Sequence, residues 1–170
     1  ITDTLTLGGG VRATVDDRTG GATLNMVLPW SMGEVLGAYA FSGSARDRSS
    51  GQFARFGYRF QATRFGLNLS RTLWSEQFSR AGVENNGSDL QEEWQIGSGL
   101  NLGWLGSLGL LYARRNYYDN SQLQRYTLSY QRRLGRWANL RLFASHAESL
   151  DADQSVSRDR VYGVGLHIPL

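Results

Sequence analysis
The sequence predicts an all-β chain, an antiparallel up-and-down transmembrane β-barrel of about ten strands. Three observations lead there. From Phe53 onward, side-chain character alternates every second residue. Trp94, Ile96, Leu100, Leu102 and Trp104 stand against Gln95, Gly97, Gly99, Asn101 and Gly103; Phe56, Tyr58 and Phe60 stand against Arg55, Gly57, Arg59 and Gln61. Period two is the strand period, because successive Cβ atoms leave opposite sides of the pleat. The two faces also differ in kind. One is aliphatic and aromatic; the other is Gly, Ser, Thr, Asn, Gln and Arg, as expected when one side meets lipid and the other water. Third, the segments run to ~9–12 residues, enough to cross a bilayer at a tilt. The competing expectation is a soluble β-sandwich with an aromatic core, whose strands average ~5–6 residues.

The first strand is expected over Leu5 to Val15, followed by a turn signal at Arg18-Thr19-Gly20-Gly21. The second, Ala22 to Leu28, is ended by Pro29, which cannot donate to a ladder. The third runs from Val35 to about Arg46, its facing blurred by Leu36, Ala38 and Ala40, and Asp47 to Gly51 reads as a polar loop. The fourth and fifth span Phe53 to Thr63 and Phe65 to Leu73, and Ser75 to Gln91 is the longest irregular piece. The next three are centred on Trp94–Trp104, Leu108–Asn116 and Leu123–Leu134; the last two cover Trp137 to Glu148 and Val161 to Leu170. Connectors are expected to alternate, tight at Gly33, Arg64, Gly106 and Gly135, longer between, so that one rim carries turns and the other loops.

Composition narrows the alternatives. The 170 residues suffice for a single barrel domain or one barrel segment. No window approaches ~18 consecutive apolar residues, so a transmembrane helix is excluded while a barrel is not. With no cysteine there is neither a disulfide scaffold nor a thiolate metal site. The net charge of +3 comes from interleaved Arg, Asp and Glu, with no like-charge run to bind nucleic acid. Ile1 to Leu7 have neither a charged n-region nor an apolar h-region, so an exported protein is expected here in mature or excised form.

Catalytic constellations are thin, and no enzyme activity, cofactor or metal site is expected. His146 and His167 lie on separate strands and read as polar-face or rim residues. Glu92-Glu93 and Asp151/Asp153 read as solvated loop charge rather than a calcium site. Gly8-Gly9-Gly10 lacks the helix and Lys-Ser/Thr of a phosphate loop. Ser31 to Gly33 lacks the glycine that precedes a nucleophile elbow.

The arginines say more. Arg12, Arg55, Arg59, Arg125, Arg133 and Arg141 fall on the polar face, and Gln61, Gln95 and Asn101 join them. An arginine facing lipid near the midplane costs ~2–4 kcal/mol, so these side chains are expected to face a lumen. There they either stiffen and solvate a barrel interior or form a surface past which a polymer slides. Arg71 and Arg114 fall on otherwise apolar faces, which places them at a rim or beside a bulge. Trp30, Trp74, Trp94, Trp104 and Trp137 sit near expected strand ends, where a membrane girdle would place them.

The stretch Tyr126-Thr-Leu-Ser-Tyr-Gln-Arg-Arg-Leu-Gly-Arg-Trp-Ala-Asn-Leu-Arg-Leu-Phe-Ala-Ser-His146 resembles the translocation barrel of the outer-membrane ushers that assemble chaperone–usher fimbriae. In that family a strand ending Ser-Tyr-x-x-x-Leu-Gly turns into Asn-Leu-x-Leu-x-x-Ser, and a later strand closes on an aliphatic-Pro-Leu, here Ile168-Pro169-Leu170. Gly57 to Leu69 and the opening Leu5-Thr-Leu-Gly-Gly-Gly-Val-Arg are similar to usher hairpins too. The resemblance implies a pore in the bacterial outer membrane, set in outer-membrane lipid. It would secrete pilus subunits delivered by a periplasmic chaperone, without ATP hydrolysis. The alternatives are a self-contained small barrel passing solutes, its selectivity set by lumen arginines, and an outer-membrane enzyme of the protease or lipase kind using His146 with Glu148, or His167 near a neighbouring strand's carboxylate.

Overall fold
The computed structural model describes residues 4–13, 17–44, 50–78, 90–135, 138–153 and 155–167. Ten strands form: β1 Leu5–Ala13, β2 Asp17–Val27, β3 Glu34–Ser44, β4 Ser50–Gln61, β5 Phe65–Trp74, β6 Leu90–Asn101, β7 Ser107–Tyr117, β8 Gln122–Leu134, β9 Ala138–Leu150 and β10 Val156–His167. All ten join one antiparallel sheet in chain order. Among the described residues there is no second sheet to pack against it, so the sandwich expectation fails.

Several boundaries differ from the sequence reading. Arg18 to Gly21 are not a turn; they pair with Val11 to Ala13 and Gly10 inside β2. The physical reason is the Phe41 ring, which lies so close over Gly20 that an added Cβ would stand 2.7 Å from Cζ. Glycine here makes room for an aromatic across the ladder. Leu90 to Glu93 and Val156 to Arg160 are strand rather than loop, and Trp104 falls in a turn beyond β6. The expected alternation of connector lengths reduces to one long connector, 75–89; the other eight span three to six residues on either rim.

Register gives the sheet its pitch. Following directly opposed residues from Leu5 through Met26, Val35, Tyr58, Leu69, Ile96, Tyr112, Tyr126 and His146 leads to Arg160. Leu5 opens β1, whereas Arg160 lies seven residues before the end of β10. That stagger, at ~3.4 Å per residue over nine steps of ~4.8 Å, tilts the strands by roughly 30°, close to the ~35–45° of barrel walls.

The sheet also curls. One groove of about 1070 Å³ touches seven strands, β4 through β10, mainly through residues of one face, among them Arg59, Asn68, Gly97 and Arg141. The wall is therefore barrel-like, yet not closed, because β1 pairs only with β2 and β10 only with β9. No described side chain is fully buried. The accessible surface is 12467 Å², against about 8,400 Å² expected for a compact chain of this mass. Instead of a central core the molecule has two broad faces.

Candidate functional site: a wall with two chemistries
Because directly opposed residues share a face, the ladders sort every strand residue to one side or the other. The convex side carries Leu67 and Leu69 of β5, Ile96 and Leu100 of β6, Leu108, Leu110 and Tyr112 of β7, and Leu128 of β8. Many are well exposed, Leu110 at 49% and Leu128 at 47%. Together these side chains form a broad exposed apolar surface.

Two turns mark the lower edge of that band, and they are built alike. Residues 28–33 and 102–106 each hold a single 3-10 turn, Pro29–Ser31 and Gly103–Leu105. In each, a leucine N–H donates to a glycine carbonyl, Leu28 to Gly33 (2.8 Å) and Leu102 to Gly106 (2.8 Å). Both glycines take positive φ, 101° and 104°. Both sit against backbone of a strand two along, where a Cβ would come within 2.3 Å of the Arg59 or Gln131 carbonyl oxygen. Each turn presents one tryptophan, Trp30 or Trp104, 79% exposed. A tyrosine of that same strand ties each turn down: Tyr58 donates its hydroxyl to the Met32 carbonyl (2.6 Å), and Tyr130 to that of Leu105. The Arg132 guanidinium lies over Trp104, 5.6 Å from the ring centroid.

A charged network marks the upper edge. Arg71, Trp94 and Arg114 oppose one another across β5, β6 and β7 on the convex face. The Glu92 carboxylate accepts from Arg71 Nε at 2.6 Å, Trp94 Nε1 at 2.7 Å and Asn116 Nδ2 at 3.2 Å. Arg71 also stacks on Trp94, 4.8 Å from its centroid, and Arg114 donates to Asn116 at 3.1 Å. Farther along the rim Arg158 pairs with Glu148 at 3.2 Å. The expectation of a rim position for Arg71 and Arg114 agrees with this; the register shift nearby falls at Leu90/Glu92 and does not set their facing. Between the turn tryptophans and the Trp94 row lie about eight residues of tilted strand, roughly 24 Å of height.

The concave side holds the expected polar set. Arg55, Arg59, Gln61, Gln95, Asn101, Arg125, Arg133 and Arg141 all share it. Arg12 occupies the register position opposite Thr19. Arg115 and Glu93 face each other there at 2.7 Å. Among the girdle candidates, Trp74 needs correction. It opposes Phe53, one residue out of phase with Leu73, and so lies on the concave face. Trp94 is convex, Trp30 and Trp104 are in turns, and Trp137 lies outside the described residues.

Sequence reasoning missed what Trp74 does. Its ring packs edge-on to Phe53 at 5.8 Å, Phe78 stacks on Phe53 at 5.6 Å, and Tyr118 donates to the Trp74 carbonyl at 2.6 Å. Gly51 lets this happen, since a Cβ there would meet Phe78 Cα at 2.1 Å. The start of the long connector thus folds over the concave face at the loop rim. No metal-binding group of three His, Asp or Glu is present among the described residues. Glu148 gives its carboxylate to Arg158, and His146 Nδ1 has no hydrogen-bond partner among them. Compared with protein-family models, curated proteins and solved structures, the chain matches none.

Proposed function
We propose that this chain forms wall of an outer-membrane β-barrel whose concave face lines a passage, and that the passage carries pilus subunits, as the usher resemblance implies. The observation that carries the membrane part is the convex band. It is roughly 24 Å tall, against the ~25 Å of an outer-membrane barrel. Anchored tryptophans bound it below and charge bounds it above. Tyrosine and tryptophan with satisfied polar ends are the side chains that favour a lipid–water boundary.

The open edges favour a section of a wide wall over a self-contained solute channel. A closed ring of about ten strands leaves little room inside, too little for a folded subunit. Unpaired strand edges are costly in hydrocarbon, so β1 and β10 require further strands beside them. In this reading the lipid, the pilus subunit and its periplasmic chaperone are the partners, and passage rather than chemistry is the work.

Single-tryptophan variants in vesicles of brominated lipid test the membrane part. Trp94 should be strongly quenched and Trp74 spared; the reverse would overturn the facing and with it the barrel. A photo-crosslinking residue at Gln131 or at Leu128 of the full-length protein, in cells exporting fimbriae, tests the cargo. Position 131 should capture a pilus subunit and position 128 should not. Equal capture at both, or none at 131, refutes translocation along this face.

A further inference from the structure
We infer that the turn-side half of the concave groove receives an acidic polypeptide segment; this rests on the passage reading above and names the chemistry of what passes. The groove is lined by Arg59, Arg64 and Arg141 and by no carboxylate. None of the three makes an ion pair among the described residues. Glu34 opposes Arg59 in register but lies outside ion-pair reach. The other described carboxylates of this face, Glu93 and Asp159, belong to the loop-side half.

The connectors repeat the same polarity. Every loop-side connector contains Asp or Glu (Asp16, Asp47, Glu76, Asp119 and Asp151 are examples), and no turn-side connector contains either. The turn-side mouth is thus electropositive, whereas at the loop side carboxylates are offset by arginines such as Arg46, Arg48 and Arg115. A low-dielectric wall concentrates such a field at the groove.

The groove floor points the same way. Gly97, Gly99 and Gly165 lie on it in ordinary strand conformation, and an added Cβ would meet nothing closer than 3.8 Å at Gly97, nothing within 4 Å at Gly99 and only Arg141 at 4.0 Å at Gly165. Neither space nor φ demands glycine there, and glycine weakens a strand. The three glycines leave backbone open at the two sides of the groove, with the exposed side chains of Leu111 and Phe143 between them, so that an extended chain can approach main chain there. Arginines then meet its carboxylates, and the amides of Asn68 and Gln131, which hydrogen-bond nothing within the described residues, can meet its peptide groups.

The test uses the full-length protein in detergent, fluorescein-labelled oligoglutamate, oligoglutamine and oligolysine of equal length, and inorganic tripolyphosphate as competitor. Oligoglutamate should bind about tenfold more tightly than either other peptide, and the preference should fade as salt rises. Arg59→Gln with Arg141→Gln should remove the preference, and Gly99→Leu, which has room to fold, should weaken binding by filling the floor. Equal binding of all three peptides, or an Arg-independent preference, overturns the inference. So does tripolyphosphate binding more tightly than oligoglutamate, which would make this a phosphate site. Brominated-lipid quenching in vesicles separates the two readings. Quenching of Trp94 without peptide preference sinks the groove alone; preference without quenching sinks the membrane wall and leaves the groove chemistry standing.

Discussion
The two rims of this sheet solve one problem by opposite means. At the turn side, tryptophan is held by backbone geometry: positive-φ glycines press each turn onto a neighbouring strand, and a tyrosine hydroxyl locks it. At the loop side, tryptophan is held by charge, with Trp94 bonded to Glu92 and covered by Arg71. The first arrangement closes the turn backbone with neutral hydrogen bonds, with the Arg132 guanidinium over Trp104 as its charged contact. The second concentrates polar groups where the apolar band stops. The difference teaches that the band's lower limit is set by the turns and its upper limit by cross-strand ion pairs, so the two limits should respond to different perturbations.

The largest effect belongs to the turn rim. Gly33→Val forces a β-branched residue into positive φ and drives its Cβ into the Arg59 carbonyl, costing about 4 kcal/mol. Gly43→Val, on a convex position with nothing within 4 Å, should be near neutral. Urea titration of the refolded variants measures both; equal losses would show that the turns do not pin the lower limit. Between the rims, Leu128→Arg should cost about 2–4 kcal/mol of stability in vesicles, while Thr127→Arg, on the concave face, should cost little. If the two arginines are tolerated alike, the band is not facing lipid.

Much of this was legible from residue order, and the failures are instructive. The period of two assigned the facing of Arg55, Arg59 and Gln95 because alternation needs no knowledge of neighbours. The same rule would have put Trp74 on the concave face; nearness to a strand end overrode it. Gly20-Gly21 reads as a turn in any local scan, and only the ladder to β3 brings the Phe41 ring over it. The Glu92 network needs register across three strands, so no sequence window contains it. Strand count could say that β1 and β10 run antiparallel; it could not say whether they meet.

At the loop rim the effects shrink. Glu92→Gln removes the charge that Arg71 pairs with while leaving a hydrogen-bonding amide. With Arg71 46% exposed, the loss should be about 1 kcal/mol, accompanied by a shift in Trp94 emission. An unchanged spectrum would mean that Trp94 does not depend on this contact.

Smallest is the response of the loops to acid. The Ser121 hydroxyl and then its N–H donate to Asp119, at 2.6 and 2.9 Å, and hold its carboxyl below the ordinary carboxylate value. The Ser155 N–H does the same for Asp153, at 3.0 Å. A carboxyl whose folded value is depressed contributes order that is fully present above the unfolded value and is lost as pH falls through the folded one. Amide exchange in residues 118–121 and 151–155 should therefore accelerate as pH drops below the ordinary aspartate range, after correction for intrinsic rates. Turn-side residues 102–106 contain no carboxylate and should show no such step. An acid step at 102–106 as large as that at 118–121 would mean that pH acts on the whole wall, and the division of labour between the rims would be wrong.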